Sequence, residues 1–366
     1  MPKKKRIMHG MVEAAGQNTY SVQGLKLIGE NAETVVYAEN PFGYKYDKCL
    51  SIDKSKRPIS PVTVFKLLRF YFSALKKYNT FHFHFGSSIL NNYELWSYDL
   101  FHKDYYYEFH GSDLRDFKKA CAIMGMPYNS KYDGGLRLQK RNKKICKKAK
   151  GIIIHDDELI PYLPVPPRNV YVVPLRVDIS KFEPRYPTMN NDLIRIVHAP
   201  SNKDIKGTKY IIDAIDILKK KYNNIEFILV EGKKQQEAFE IYKEADIIVD
   251  QLFLGTYGVF AIESMALGKP VVSCISETMR GRFPKELPIV NGNMTNISEA
   301  LELLINNPKL RVEKGRQGRK YVEDYHDFRI VAHVLKGIYY GAGKPLTGRD
   351  AFEQVKALKQ QMESNR

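Results

Sequence analysis

Residues 246–274, DIIVDQLFLGTYGVFAIESMALGKPVVSC, constrain the fold of this chain more than any other stretch. They read as a buried strand (Asp246–Asp250), a glycine-punctuated loop, a short helix (Val259–Leu267), a glycine stop and a second buried strand. A helix that is apolar almost all round belongs inside a layered α/β domain, not on its surface. Gly268 suits the left-handed position after a helix end, and Pro270 opens the next strand where the helix cannot continue. Glu263 breaks the pattern, because an unpaired carboxylate is costly to bury. It either snorkels to solvent or pairs with a structural lysine, or it lines a cleft and accepts hydrogen bonds from ligand hydroxyls.

The preceding loop favours the cleft. Gly255 and Gly258 flank Thr256 and Tyr257, so backbone can come close to a ligand and aim N–H groups at it. The first helical turn, from Val259, adds unpaired amides and the positive end of the dipole, which together suit a phosphate. With Glu263 one turn further on, the arrangement suggests a nucleotide, its phosphates on the helix start and its ribose on the carboxylate.

GTYGVFAIESMALGKPVV resembles the donor-binding motif of the retaining nucleotide-sugar glycosyltransferases of family 4. The resemblance implies the GT-B fold, in which two Rossmann-like, doubly wound α/β domains face each other across a cleft. In that family two glutamates lie eight positions apart around an aromatic–Gly pair. Glu263 matches the second, which binds the donor's ribose. The first, which meets hydroxyls of the transferred sugar, falls at Gly255 and is absent, with Gln251 and Thr256 as the nearest polar replacements.

A chain of 366 residues can form two full cores, and no apolar run is long enough to span a membrane. The start, MPKKKRIMHG, lacks the apolar core of a secretory signal and reads as a polar lead into the first strand. Cys49, Cys121, Cys146 and Cys274 are scattered without metal-ligand spacing and read as free thiols of a reducing, cytoplasmic compartment. The net charge of +17 is uneven: residues 1–180 hold 29 Lys/Arg against 17 Asp/Glu, the remainder 29 against 24. The first half therefore faces something anionic. No aromatic residues interleave with the basic run Leu136–Lys150, which leaves Ile145 and Ala149 to pack inward, so nucleic acid is not an expected partner.

The first strand is expected at Arg6–His9, with Gly16 in the connection to a helix capped by Asn18 or Thr19 that ends near Ile28, and a second strand at Thr34–Ala38. Pro61–Tyr78 is an amphipathic helix, with Val64, Leu68, Tyr71, Phe72 and Leu75 on one side and a basic opposite face. It packs on a sheet or lies on an anionic membrane. In the expected strand FHFHFGSS, Phe81–Ser88, His82 and His84 share a face, yet no third ligand follows at metal-binding spacing. The strand Tyr105–Phe109 leads into His110–Gly111–Ser112–Asp113, at a strand's carboxyl end where α/β ligands bind. This segment resembles the family's histidine motif, which implies that His110 reaches the donor sugar or its phosphate.

VPLRVDISKF resembles the family's passage from first to second domain. The expected organisation is an acceptor-side domain over 1–182, a linker over 183–192, a donor domain over 193–327, a helix crossing back over 328–346 and a charged tail over 347–366. In the donor domain Lys206 stands at a helix start, where a lysine can meet phosphate as a point charge. The resemblance implies an Arg–Lys pair on the diphosphate: Lys206 matches the Lys, Ser201 stands in the place of the Arg, and Lys203 is a possible substitute.

The expected activity is transfer of a sugar from a nucleotide-diphosphate sugar to an acceptor hydroxyl, with retention and without metal or cofactor. Lys206, Lys203 and the amides at Gly258 and Val259 stabilise the leaving diphosphate, Glu263 anchors the ribose and His110 places the sugar. The acceptor is a polysaccharide or lipid-linked glycan, met at the inner face of a membrane. The rival readings are a catalytically inactive GT-B nucleotide-binding partner subunit and a GT-B sugar-nucleotide epimerase.

Overall fold

The computed structural model describes residues 4–40, 43–53, 60–189, 192–233 and 235–365. The start of the basic leader and residues 190–191 of the expected linker lie outside them. The chain divides into two units: Met1–Lys119, Tyr128–Arg176 and Phe328–Arg366 form the first, Ala120–Pro127 and Val177–Asp327 the second.

The first unit holds strands β1 (Arg6–Met11), β2 (Asn31–Val36), β3 (Lys48–Cys49), β4 (Thr80–His84), β5 (Asp104–Glu108), β6 (Gly151–Ile154) and β7 (Val170–Val172). They form one parallel sheet in the order β3-β2-β1-β4-β5-β6-β7. The order reverses between β1 and β4, and in such sheets ligands bind beyond the strand ends at that point. Its helices are α1 (Gln17–Leu27), α2 (Pro61–Lys77), α3 (Leu95–Leu100), α4 (Phe117–Met124, shared with the second unit) and α5 (Gly135–Lys148). The second unit holds β8 (Ile194–His198), β9 (Ile225–Leu229), β10 (Ile247–Val249), β11 (Val271–Ser273) and β12 (Val290–Asn291), parallel in the order β12-β11-β10-β8-β9. Its switch point lies between β8 and β10. Helices α6 (Lys203–Lys206), α7 (Thr208–Lys221), α8 (Gln235–Glu244), α9 (Val259–Ala266), α10 (Glu277–Arg280), α11 (Ile297–Asn306) and α12 (Pro308–Tyr325) accompany it. The chain then returns to the first unit with α13 (Phe328–Tyr339) and α14 (Gly348–Ser364).

Strands buried on both faces read as near-continuous apolar runs, which is why Ile152–Ile154 and Ile247–Val249 were legible as strands. In the second unit Ile211, Ile215 and Leu218 of α7 pack with Ile196, Ile247 and Leu301. In the first, Val22 and Leu25 of α1 pack with Ile7, Val331, Leu335 and Val355.

Several expectations shift. The passage between units comes at Arg176/Val177, before residue 182, because the Val177 amide donates to His326 O inside the second unit. The charged tail is helical, with Ala351, Phe352 and Val355 buried against the first unit. The second strand lies at Asn31–Val36, three residues early at its start. Helix α2 buries Leu67, Phe70, Tyr71, Ala74 and Leu75, whereas Val64, Leu68 and Phe72, expected inside, are exposed. The helix is apolar on more than one side, so periodicity alone picked the wrong centre for its buried stripe.

Candidate nucleotide and sugar sites at the two switch points

Beyond the ends of β8 and β10, Lys206 is the central cation of the second unit's site. Its Nζ donates to Asp250 Oδ1 and Gln251 Oε1, both at 2.7 Å. The other Asp250 oxygen, Oδ2, accepts the Gly258 N–H at 3.1 Å, and Gln251 Nε2 donates to Thr256 O. Asp250, absent from the expected set, thus ties the lysine to the mouth of α9. It closes a strand as the first polar residue after an apolar run, a signal visible in sequence but unread. Its carboxylate holds the Gly258 amide expected to meet phosphate, so the amides of the next helical positions, from Val259 on, are the ones left by helix geometry.

Gly255 adopts φ +68°, and a Cβ there would sit 3.0 Å from Ser276 Cβ. Backbone conformation and the close neighbour thus account for glycine where the family pattern has glutamate. Thr256 and Tyr257 are both buried. The Tyr257 hydroxyl lies 3.0 Å from Tyr321 Oη and 3.2 Å from His326 Nε2, and its ring packs on Phe283. Its side chain is therefore core, and only its backbone is left for the loop's expected approach to a donor. Ser201 is exposed, while Lys203 pairs with Glu231 at 2.9 Å.

Glu263 is only 8 % exposed, and no hydrogen bond or ion pair reaches its carboxyl among the described residues. Burial pushes its pKa up to about 8, against a weak opposing pull from Lys181. Burying a carboxyl without a partner is costly, which sets Glu263 apart from the rest of this apolar helix.

In the first unit Gly16 begins α1 at φ +82°, where a Cβ would strike the Tyr20 and Tyr44 rings. Neither Asn18 nor Thr19 caps the helix. Instead the Glu13 carboxylate accepts the Asn18 and Thr19 amides at 3.2 and 3.0 Å, so this helix start holds its own anion. The Asn18 amide group is left buried without a partner among the described residues.

His110, after β5, belongs to a cluster that sequence spacing concealed. Strand β1 pairs with β4 so that His9 lies beside His82, and β4 pairs with β5 so that His84 lies beside Glu108. His84 Nδ1 is 3.2 Å from His110 Nε2, and His84 Nε2 is 3.1 Å from His9 Nδ1. His9 Nε2 and His82 Nδ1 lie 3.0 and 2.5 Å from the Tyr339 hydroxyl. Arg176 Nη2 donates to both Glu108 oxygens, at 2.7 and 2.5 Å, with both side chains fully buried. Burial works against the Glu108 charge, yet Arg176 holds this carboxyl well below the usual range. Burial pushes all four imidazoles down, His110 to about 3, so they are neutral. The third histidine that linear spacing failed to supply beside His82 and His84 is His9. The sets His9/His82/His84 and His84/Glu108/His110 each bring three potential ligand atoms within 4.8 Å. The missed pair, Glu108 and Arg176, had a signal: single charges at the ends of strand-like apolar runs.

No protein-family model matches the chain. Over 193 residues it is 22% identical to the capsular polysaccharide biosynthesis glycosyltransferase CapM of Staphylococcus aureus, covering 45% of this chain and 50% of that protein. The match thus spans about half the length of the curated relative. Among solved structures, sucrose-phosphate synthase from Thermosynechococcus elongatus superposes at TM-score 0.64 with 14% identity, over 92% of this chain and 99% of that one. Anabaena HepE in complex with UDP-glucose superposes equally, at 0.64 with 10% identity, over 92% and 100%. The fold is GT-B. The same GT-B architecture extends to a Neisseria meningitidis UDP-GlcNAc 2-epimerase bound to UDP-GlcNAc, at TM-score 0.52 with 13% identity, over 92% and 100%.

Proposed function

We propose that the chain is a retaining, metal-independent glycosyltransferase that moves a sugar from a nucleotide-diphosphate donor to a carbohydrate or lipid-linked acceptor at the inner face of a membrane. The observation that carries the donor site is Glu263, a buried carboxyl without a hydrogen-bond or ion-pair partner among the described residues, one turn inside a helix that starts at the switch point. In the bond that breaks, negative charge grows on the diphosphate, and Lys206 with the first amides of α9 supplies the opposing charge. Asp250 and Gln251 hold that lysine extended. His110 is assigned to the transferred sugar.

A thermal-shift panel of UDP, GDP, ADP, CMP and dTDP tests the donor site. One nucleotide at 100 times its Kd is expected to stabilise the wild type by about 2.7 kcal/mol, and Glu263→Ala to lose most of that shift. No shift with any nucleotide would sink the proposal. The departures at Gly255 and Ser201 favour a second reading, a nucleotide-binding partner without activity. Slow donor hydrolysis in the absence of acceptor separates the two, since only an enzyme releases free sugar.

The first unit supports the acceptor side. A cavity of 1130 Å³ in this unit is lined by Arg137, Lys140, Arg141 and Lys144 of α5 and also by Glu13, Glu39 and Asp53; its basic α5 wall suits an anionic acceptor. On α2, Val62, Phe65 and Phe72 are more than half exposed, interspersed with Lys66, Arg69 and Lys76. The neighbouring α3, joined to α2 by the Tyr71–Ser97 hydrogen bond, exposes Trp96 and Leu100. Apolar and aromatic tips among basic side chains match an anionic lipid surface. No helix among the described residues is long and apolar enough to cross a membrane. Flotation with vesicles containing phosphatidylglycerol is expected to carry the wild type and to lose Phe65→Ser/Trp96→Ser. Equal flotation with neutral phosphatidylcholine, or none with either, would rule the lipid surface out.

A further inference from the structure

The cluster around His110 is wired in one direction. Glu108 carries Arg176 on both oxygens, is ionised, and can only accept hydrogen bonds. His82 Nε2 lies 3.2 Å from Glu108 Oε2, near enough to feel its charge, though it makes no hydrogen bond among the described residues. It must carry the ring's proton, since a bare lone pair there would face the carboxylate charge. A neutral imidazole has one N–H, so His82 Nδ1 is bare and accepts from the Tyr339 hydroxyl. That hydroxyl has a single hydrogen, so its oxygen accepts Nε2–H of His9. His9 Nδ1 then accepts Nε2–H of His84, and His84 Nδ1 accepts Nε2–H of His110. Every link follows from the one before, and reversing any one alone would set two protons or two lone pairs against each other. The bare His84 Nδ1 also faces Glu108 Oε2, but at 3.8 Å against 3.2 Å for His82 Nε2, so the shorter contact sets the direction.

We infer that His9, His82, His84 and Tyr339 are positioning residues that lock His110 in the Nε2–H tautomer, leaving its Nδ1 as a fixed acceptor for a sugar hydroxyl. The tautomer stands on the geometry of rings that burial keeps neutral; the identity of the hydroxyl rests on the proposed function. Within the wiring, a second proton on His9 or His84 would point at a nitrogen that already carries one, which fits rings kept neutral by burial. A bound metal is the competing use of these atoms. At His84/Glu108/His110 it would need His110 Nε2 bare and a Glu108 oxygen turned from Arg176, whose guanidinium already spans both, and at His9/His82/His84 it would take ring nitrogens that the wiring uses.

The test is a long-range proton–nitrogen correlation spectrum of histidine-labelled protein, with metal analysis of the same sample. The expected result is a neutral Nε2–H form for His110 at pH 7 and no stoichiometric zinc. Tyr339→Phe cuts the line while keeping the ring. It is expected to mix the tautomers of His9, His84 and His110, and to lower transfer turnover about tenfold with UDP affinity unchanged. An Nδ1–H or doubly protonated His110, one equivalent of bound zinc, or tautomers unmoved by Tyr339→Phe would overturn the inference. The spectrum needs no substrate, so a chain that bound no nucleotide sugar would end the functional proposal and leave the tautomer result standing.

Discussion

Arg176→Met is expected to destabilise the first unit by about 3–5 kcal/mol, the cost of stranding one partner of a buried ion pair. Glu108 is fully buried, and both its oxygens depend on this guanidinium. Arg176 Nε also donates to Gln17 O, a bond the variant loses at the start of α1, while the Arg176 backbone amide keeps its bond to Gln17 Oε1. For a unit of this size the melting temperature should fall by roughly 10 °C. Arg176→Met/Glu108→Gln should recover part of the loss, because it removes the stranded charge. A double variant no more stable than the single one would show that packing, not charge, sets the effect. The comparison also bears on the wiring, since Glu108 orients His82 only while it is ionised.

Acidification is the second large expected effect. His110 and His198, held at about 3 and 4 in the fold by burial, bind protons near 6.5 once unfolded. A folded pKa below the unfolded one means that the unfolded chain takes up more protons between these values, so stability falls as pH drops through 6.5. Each of the two costs about 1.4 kcal/mol by pH 5.5. His9, His82 and His84 are shifted in the same direction. Glu263 opposes them: raised to about 8, it keeps its proton in the fold while the unfolded carboxyl ionises above about 4.5, so acid favours the fold at this residue. Urea midpoints at pH 7.5 and 5.5 are expected to show a net loss, and Glu263→Gln to steepen it by removing the offset. An unchanged midpoint across that range would contradict neutral buried imidazoles.

Local sequence determined the parts that depend on neighbours in the chain. The α9 helix, its glycine stop and the flanking strands follow from an apolar run with Gly268 and Pro270 after it, and the structure has them where the residues imply. The isolated polar positions Glu263, inside an apolar helix, and Lys206 and His110, at the ends of elements, stood out because a buried charge or imidazole is expensive without a partner. Tertiary structure decided what those residues touch. In a parallel sheet, adjacent strands are separated by a crossover, so His9 and His82 lie 73 positions apart in sequence yet side by side in register. No spacing rule could join them, nor Arg176 to Glu108, nor Tyr339 of a helix that returns after the whole second unit. Tyr257 went the same way: its loop is visible in the sequence, but only packing shows the ring turned into the core.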